Sequence, residues 1–455
     1  MEIYMETIAA LSTAPFRSGV AVIRISGDKA LEIAEKVFIS STGRRMKPRE
    51  MTLGELKNTA GETLDRILAV RFKKPNSFTG EDVVELHCHG STAVINSALT
   101  ALFVAGARQA LPGEFTKRAF LNNRLDLTQA EAVGELIAAE TEQIALNAAA
   151  QIGGSLTKSI DGIYNALIGV LAHFHAVVDY PDEDIDELRA EDILSELKSQ
   201  EEKMDRLIEN GQRGRTAKEG IVCTIIGRPN VGKSSLMNML SGYDRAIVTP
   251  TAGTTRDIIE TDVVLGGIPI RLQDTAGLRQ AENEIEKIGV DLAKNAAKNA
   301  AVIFWVIDGS EPVSEDDFAI LENLGEKPVI ALINKSDLGQ RVDIEKILES
   351  VDSALIVSAK EGTGFEKLDE KIREIAGTGG LTFDGSIITN ARQLGLCMSA
   401  RENIINAARL TGDGYPPDMA LYEVEDACGR LSELIGKKVS DDIVDRIFSD
   451  FCVGK

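Results

Sequence analysis

Long apolar runs are missing from this 455-residue chain. No stretch approaches the roughly 18 to 20 consecutive apolar residues that a membrane-spanning helix needs, so a soluble protein with no membrane partner is expected. Cysteine is scarce. Cys88, Cys223, Cys397, Cys428 and Cys452 are an odd number scattered over a long chain, which fits reduced thiols better than a disulfide framework. A secretory leader is not legible either, because MEIYMETIAALSTAPF begins with acidic residues and lacks a long apolar segment; a cytoplasmic location is expected. Positive charge is in deficit. With 50 Lys and Arg against 71 Asp and Glu, the formal charge is −21, which opposes sequence-independent attraction to nucleic acid. Any RNA partner must therefore meet a local patch. Internal repeats and low-complexity tracts are also missing.

What is present is apolar material for about three domains: 44% of residues are hydrophobic and 27% charged. Residues 1–120 mix β-branched runs (VAVIRISG, RILAVRF, DVVELHCHG) with a helical stretch at 92–105, the pattern of an α+β module. Residues 121–219 turn to long Ala-, Glu- and Leu-rich segments of helical spacing, interrupted near Tyr180 and Pro181. From 220 to 376 strands and helices alternate. IVCTIIG, PIRLQDT, AVIFWVID, PVIALINK and ALIVSAK are the strand candidates of a doubly wound α/β domain. Residues 377–455 are helical again and end in FCVGK. The simplest architecture is multidomain α/β: an N-terminal α+β module, then a helical domain into which a doubly wound α/β domain is inserted.

The chemistry is concentrated in that insertion. Gly227-Arg-Pro-Asn-Val-Gly-Lys-Ser234 follows an apolar strand and opens a helix, the context a phosphate-binding loop requires. Its glycines let backbone amides close around phosphates, and the helix N-terminus favours negative charge. Asn230, Val231, Gly232, Lys233, Ser234 and Ser235 form the contact run, with Lys233 reaching the terminal phosphates and Ser234 able to ligate magnesium. Asp274, Thr275, Ala276 and Gly277 close the strand RLQDTAG and put a carboxylate near the metal. Asn334, Lys335, Ser336 and Asp337 choose the base, because the Asp337 carboxylate accepts both N–H donors on the edge of guanine, whereas adenine presents the wrong pattern. Ser358, Ala359 and Lys360 line the base from the other side. Leu278 stands where many small GTPases carry a water-orienting glutamine. Glu282, Glu284 or Glu286 in the loop that follows can hold the water instead, and residue mechanics alone do not choose among them.

With RISG at 24–27, NSFTGEDVVEL at 76–86, PGEFTKRAFLN at 112–122, GRPNVGKSSL, AIVTPTAGTTRD at 246–257, DTAGL and terminal FCVGK, the whole chain resembles the tRNA modification GTPase MnmE (TrmE) family. The resemblance implies a GTPase that uses potassium in place of an arginine finger and becomes competent when its GTPase domains pair in a homodimer. It carries nucleotide contact over to Thr249, Pro250, Thr251, Ala252, Gly253, Thr254 and Thr255. Potassium falls to Asn230, Thr249, Thr251 and Thr254, and magnesium to Ser234 and Thr255. The water-orienting role falls to Glu286, with Glu284 second. The N-terminal module would bind a tetrahydrofolate derivative, 5-formyl- or methylene-tetrahydrofolate, through Arg24, Glu85, Arg124 and Lys455. At position 124 the family often carries lysine. With the flavoprotein MnmG, in a heterotetramer, the family adds an aminomethyl-type group at carbon 5 of the wobble uridine of certain tRNAs. This chain has no flavin motif, so the redox step belongs to the partner. Cys452 is a candidate for the modification chemistry.

Two signals are set aside. His87, Cys88 and His89 lie on one strand without a second ligand pair. Cys-Val-Gly-Lys imitates a prenylation box without its aliphatic residues. The rival readings are a ribosome-assembly GTPase, which would bring a basic RNA-binding module, and a septin- or dynamin-like scaffold.

Overall fold

The computed structural model describes residues 6–179, 190–243, 260–274, 300–321, 324 and 327–454. Two compact units divide it: Met1–Gly134, Gln151–Glu187 and Leu421–Lys455 form the first, Glu135–Ala150 and Leu188–Ala420 the second.

The first unit is organised by a sheet of seven strands: β1 (Ile8–Leu11), β2 (Ser18–Ser26), β3 (Phe38–Ser40), β4 (Thr52–Lys57), β5 (Thr63–Phe72), β6 (Val83–Gly90) and β7 (Arg108–Gln109). Their order is β3-β4-β5-β6-β2-β1-β7, antiparallel throughout except for β1 beside β7. The period-two alternation of β2 decides its faces. Ala21, Ile23 and Ile25 enter the core, where they meet Leu86 of β6, Ile67 of β5 and Ile33, Ala98 and Leu102 from the helices Ala30–Val37 and Thr92–Val104. Arg24 therefore takes the opposite face, level with Glu85 of β6. The C-terminal helix Asp441–Ser449 sends Val444 and Phe448 into a smaller cluster with Leu127 and Ala130.

In the second unit, β8 (Ile221–Ile226), β9 (Glu260–Leu265), β10 (Ile268–Asp274), β11 (Val302–Asp308), β12 (Val329–Asn334) and β13 (Ser353–Ile356) lie in the order β13-β12-β11-β8-β10-β9. All neighbours are parallel except β9 with β10. Every residue of β11 and β12 is buried, as expected where helices cover both faces of a parallel sheet. Ile225, Phe304 and Leu332 pack on one side with Leu236 and Leu368, while Ile303, Trp305 and Ile333 pack on the other with Ile347. All five strands expected from sequence in this region are present. The hairpin partner β9 was not anticipated, because ETDVVL starts with polar residues and its pairing depends on the Gly266-Gly267 turn that folds it back on β10. Outside the sheet, the helices Ala190–Glu219 and Ala391–Gly412 pack together, and Arg401 pairs with Asp205 between them. Among the described residues no helix is long and apolar enough to cross a membrane.

Candidate functional site

The chain leaves β8, builds β10 on one side of it, then crosses to build β11 on the other. Such a switch point opens a crevice at the C-terminal ends of the strands, where open α/β sheets bind ligands. Residues 227–232 follow β8, Asp274 ends β10, Asp308 ends β11, Asn334 ends β12, and Ser358 comes two residues after β13. One edge of the sheet therefore gathers motifs that are distant in sequence.

The phosphate loop turns through Asn230, whose φ is +65°, and Gly232 at +100°, then enters the helix Lys233–Tyr243. Gly232 has no substitute: a Cβ there would stand 2.2 Å from Asn334 Nδ2. Lys233 donates to the carbonyls of Gly227 at 2.8 Å and Arg228 at 2.7 Å, so its ammonium lies inside the loop. Ser234 and Ser235 are exposed on the first turn of the helix, where unpaired amides and the helix dipole favour anions. Arg228 is tied down from outside: its Nε meets Oδ1 of the fully buried Asp317 at 2.6 Å, and the Ser314 amide and hydroxyl donate to Asp317 Oδ2.

Asn334 locks the loop after β13 to the loop after β8. Its Nδ2 donates to the Val231 carbonyl at 2.9 Å, and its Oδ1 accepts from the Ala359 amide at 2.9 Å. Lys335 takes a left-handed φ of +63° and reaches Asp308 Oδ2 at 2.5 Å. A non-glycine residue in that region costs on the order of 1 kcal/mol, which the ion pair offsets. Partial burial works against ionisation of Asp308, but Lys335 and Ser310 outweigh it and hold its pKa below the ordinary carboxylate value. The Ser358 hydroxyl donates to Asp337 Oδ1 at 2.9 Å, and the Lys360 ammonium stands 3.6 Å from Oδ2. The Ser358 hydrogen bond, helped by Lys360, keeps Asp337 ionised below its ordinary pKa. An ionised two-oxygen acceptor is the kind of group that suits the N–H edge of guanine.

Asn230, Val231, Gly232, Lys233, Ser234, Ser235, Asn334, Lys335, Ser336, Asp337, Ser358, Ala359 and Lys360 thus belong to one constellation, with Asp274 at the end of the adjacent strand. Thr249, Pro250, Thr251, Ala252, Gly253, Thr254 and Thr255, Thr275, Ala276 and Gly277, Glu282, Glu284 and Glu286, and Lys455 lie outside the described residues. Asp308, Arg228 and Asp317 escaped the sequence reading. Asp308 had one usable signal, its position at the end of a wholly apolar strand.

A second cluster lies on the outer face of the N-terminal sheet. Arg24 Nε meets Glu85 Oε1 at 2.9 Å across the β2–β6 pairing, and His87 Nε2 lies 3.5 Å from Glu85 Oε2. The guanidinium of Arg24 lies over two aromatic rings, 5.4 Å from the centroid of Phe78 and 5.6 Å from that of the buried Phe115. Phe115 is placed by a buried ion network: Arg118 bonds Glu81 at 3.0 Å and Glu114 at 2.9 Å, and Arg108 meets Glu114 at 2.7 Å. Arg124 is exposed, and its backbone amide donates to Ala119 at 2.8 Å. The C-terminal tail folds onto the same unit. Val453 bridges Pro112, the Cys452 carbonyl accepts from the Gly113 amide at 3.3 Å, and the Gly454 carbonyl accepts from Ser12 Oγ at 3.0 Å. Ser12, which holds Gly454, follows β1 two residues after Ala10, the partner of Arg24. Cys452 is exposed; Cys88, by contrast, is buried with its thiol pushed up to about 11 by desolvation, and His89 turns to Asp65 at 2.8 Å. No group of three or more His, Cys, Asp or Glu is placed to hold a metal among the described residues.

A central parallel strand, a glycine loop opening a helix, and Asn334 at the end of β12 with Asp337 in the turn that follows define a P-loop GTP-binding domain inserted in a helical protein. The family description "MnmE helical domain" matches residues 127–452, and "GTP-binding protein TrmE N-terminus" matches residues 7–124. The tRNA modification GTPase MnmE of Acetivibrio thermocellus is 42% identical over 456 residues, covering 99% of both chains. Its namesake in Aquifex aeolicus is 40% identical over 451 residues, covering 99% of this chain and 100% of that one. A crystal structure of an Aquifex aeolicus Era variant bound to GDP and aluminium fluoride shares 28% identity over 41% of this chain and 67% of its own, with a TM-score of 0.27. The chain belongs to the MnmE family.

Proposed function

We propose that the chain is a GTP hydrolase of tRNA modification, potassium-dependent, which works with a flavoprotein of the MnmG kind. Together they use a tetrahydrofolate one-carbon unit to place an aminomethyl-type group at carbon 5 of the wobble uridine. The observation that carries the GTPase reading is Asn334, which ties the phosphate loop at Val231 to the base loop at Ala359 beside the charged Asp337. Full-length similarity to proteins named tRNA modification GTPases supports the wider role.

Each residue group has a task in this reading. Asp337 selects guanine, and Lys233 with the loop amides binds the β- and γ-phosphates. Ser234 and Thr255 hold magnesium; Asn230, Thr249, Thr251 and Thr254 hold potassium, hard oxygen donors for hard cations. A cation beside the phosphates offsets the charge that develops as phosphorus–oxygen bonds break, and Glu286 orients the attacking water. The stacked Arg24, Glu85, Arg124 and Lys455 suit a flat heteroaromatic ring with N–H donors on one edge and carboxylates on its tail. The bound folate would supply the carbon. In this reading the exposed Cys452 would take part in the modification chemistry. Exposed Leu53 and Leu68, paired on the same outer face, support a homodimer through the N-terminal sheet.

Turnover of GTP by the full chain in potassium and in sodium tests the first half. Hydrolysis confined to potassium is expected, with Glu286→Ala at least ~100-fold slower at unchanged GTP affinity. Equal rates in the two salts contradict the potassium assignment. Near-normal turnover by the variant moves the water-orienting role to Glu284.

A further inference from the structure

An acidic protein that acts on tRNA needs a place where phosphates are welcome, and its charge is not evenly spread. Residues 1–124 carry 17 Lys and Arg against 13 Asp and Glu, whereas residues 125–455 carry 33 against 58. The positive excess is therefore confined to the N-terminal module.

Within that module the cations gather on two neighbouring segments, residues 44–50 and 71–76. The first is anchored rather than loose, because Met46 is buried in the core of the sheet. Pro48 bridges Arg71, the Arg49 amide donates to the Arg71 carbonyl at 2.7 Å, and the Arg49 guanidinium reaches the Asn76 carbonyl at 3.3 Å. The two segments thus form one ledge that exposes Arg44, Arg45, Lys47, Arg49, Lys73 and Lys74. Their carboxylate neighbours are the half-buried Glu35 at 2.9 Å from Arg45, the exposed Glu50 at 3.6 Å from Lys47 and Asp28 at 2.8 Å from Lys74, and the half-buried Asp82, which faces Arg71 at 3.7 Å and accepts from the Lys74 amide at 3.1 Å. The exposed pairs contribute little and exchange readily for phosphate. Arg44 and Lys73 make no ion pair among the described residues.

The ledge also stands in the right place. Lys73 lies three residues beyond Val70, which pairs with Glu85, itself opposite Arg24. At the usual strand rise that is about 10 Å along the sheet from the Arg24–Glu85 pair.

We infer that this ledge is the contact surface for the phosphodiester backbone of tRNA, holding the arm that presents the target uridine to the Arg24–Glu85 cluster. The inference rests on the tRNA-modification reading. Backbone contacts of this type position the nucleic acid and carry no sequence information.

The test is the full chain carrying Arg44→Glu, Lys47→Glu and Lys73→Glu, titrated with fluorescent tRNA over a series of potassium chloride concentrations. Affinity is expected to fall at least ~10-fold, and the slope of log K against log salt to flatten by about 2 to 3 as three phosphate contacts are lost. GTP turnover should be unchanged. Arg44→Gln, Lys47→Gln and Lys73→Gln together should give an intermediate loss, and a control reversing the exposed Lys198, Arg206 and Lys367 should stay within twofold of wild type. An equal loss in that control overturns the ledge in favour of net charge alone. Wild-type affinity and slope in the ledge variant overturn it outright. Dissociation of an oligomer with tRNA affinity retained assigns the ledge to the acidic surface of a second copy. Failure of the wild-type chain to bind tRNA at low salt overturns the tRNA reading itself.

Discussion

Asp337 and Glu114 are both carboxylates held below their ordinary pKa, and they do different things. Asp337 sits at the crevice with both oxygens oriented by Ser358 and Lys360. Asp337→Asn should therefore exchange GTP preference for xanthosine triphosphate, losing about 2 to 4 kcal/mol toward GTP as the charge-assisted pair disappears. Competition binding with the two nucleotides checks this, and unchanged GTP preference refutes base reading by Asp337. Glu114 is buried among Arg108, Arg118 and the Leu111 amide; burial opposes its ionisation, but those donors prevail and lower its pKa below 4.5. Its contribution to stability is thus fully present above about pH 4.5 and disappears as pH falls through the lower folded-state value. Glu114→Gln should cost about 3 kcal/mol near neutrality by leaving two arginines underpaired. The gap to wild type should close below pH 4.5 in denaturant titrations; a gap independent of pH contradicts the assignment. Of these two residues only Asp337 was legible in sequence. Its partners are fixed by a short spacing after an apolar strand, while the donors of Glu114 depend on how strand β7 and the helix Glu114–Leu121 meet in space.

Several of the longer elements made mostly of buried apolar residues declared themselves, although the short β1 did not. β8, β11 and β12 were readable because parallel strands covered on both faces are continuous hydrophobic runs. Short or polar edge strands were not, since β3, β7 and β9 are defined by partners rather than by pattern. The C-terminal tail is a third case: its motif was legible but its docking was not. Gly454 has a φ of +98°, and a Cβ there would fall 2.0 Å from the Leu11 carbonyl oxygen. Gly454→Ala should consequently lift the tail off the sheet and abolish tRNA modification, as should deletion of Cys452–Lys455, while GTP turnover stays nearly intact. Parallel assays of nucleoside modification and GTP hydrolysis check the separation, and full modification by the deletion contradicts the role given to the tail. Cys452→Ser distinguishes the thiol from the backbone: normal modification excludes covalent sulfur chemistry.

At the scale of the whole molecule, one chain combines a P-loop GTPase domain, a helical domain and an N-terminal sheet with the charged Arg24–Glu85 pair and aromatic rings on one face and residues 452–454 docked beside β1. A GTPase alone needs none of the last. Potassium dependence, the stacked Arg24 and the docked tail are separate parts of one account, and each can fail without the others. On the proposed reading their joint consequence would be chemical: uridine at the wobble position of certain tRNAs would acquire its carbon-5 substituent only when the chain is present and hydrolyses GTP. Mass spectrometry of tRNA nucleosides from cells lacking the protein addresses this directly. The account predicts loss of the carbon-5 aminomethyl-type uridine, its return with the wild-type chain, and no return with Lys233→Ala. The same modified uridine at wild-type abundance in the deleted cells would contradict it.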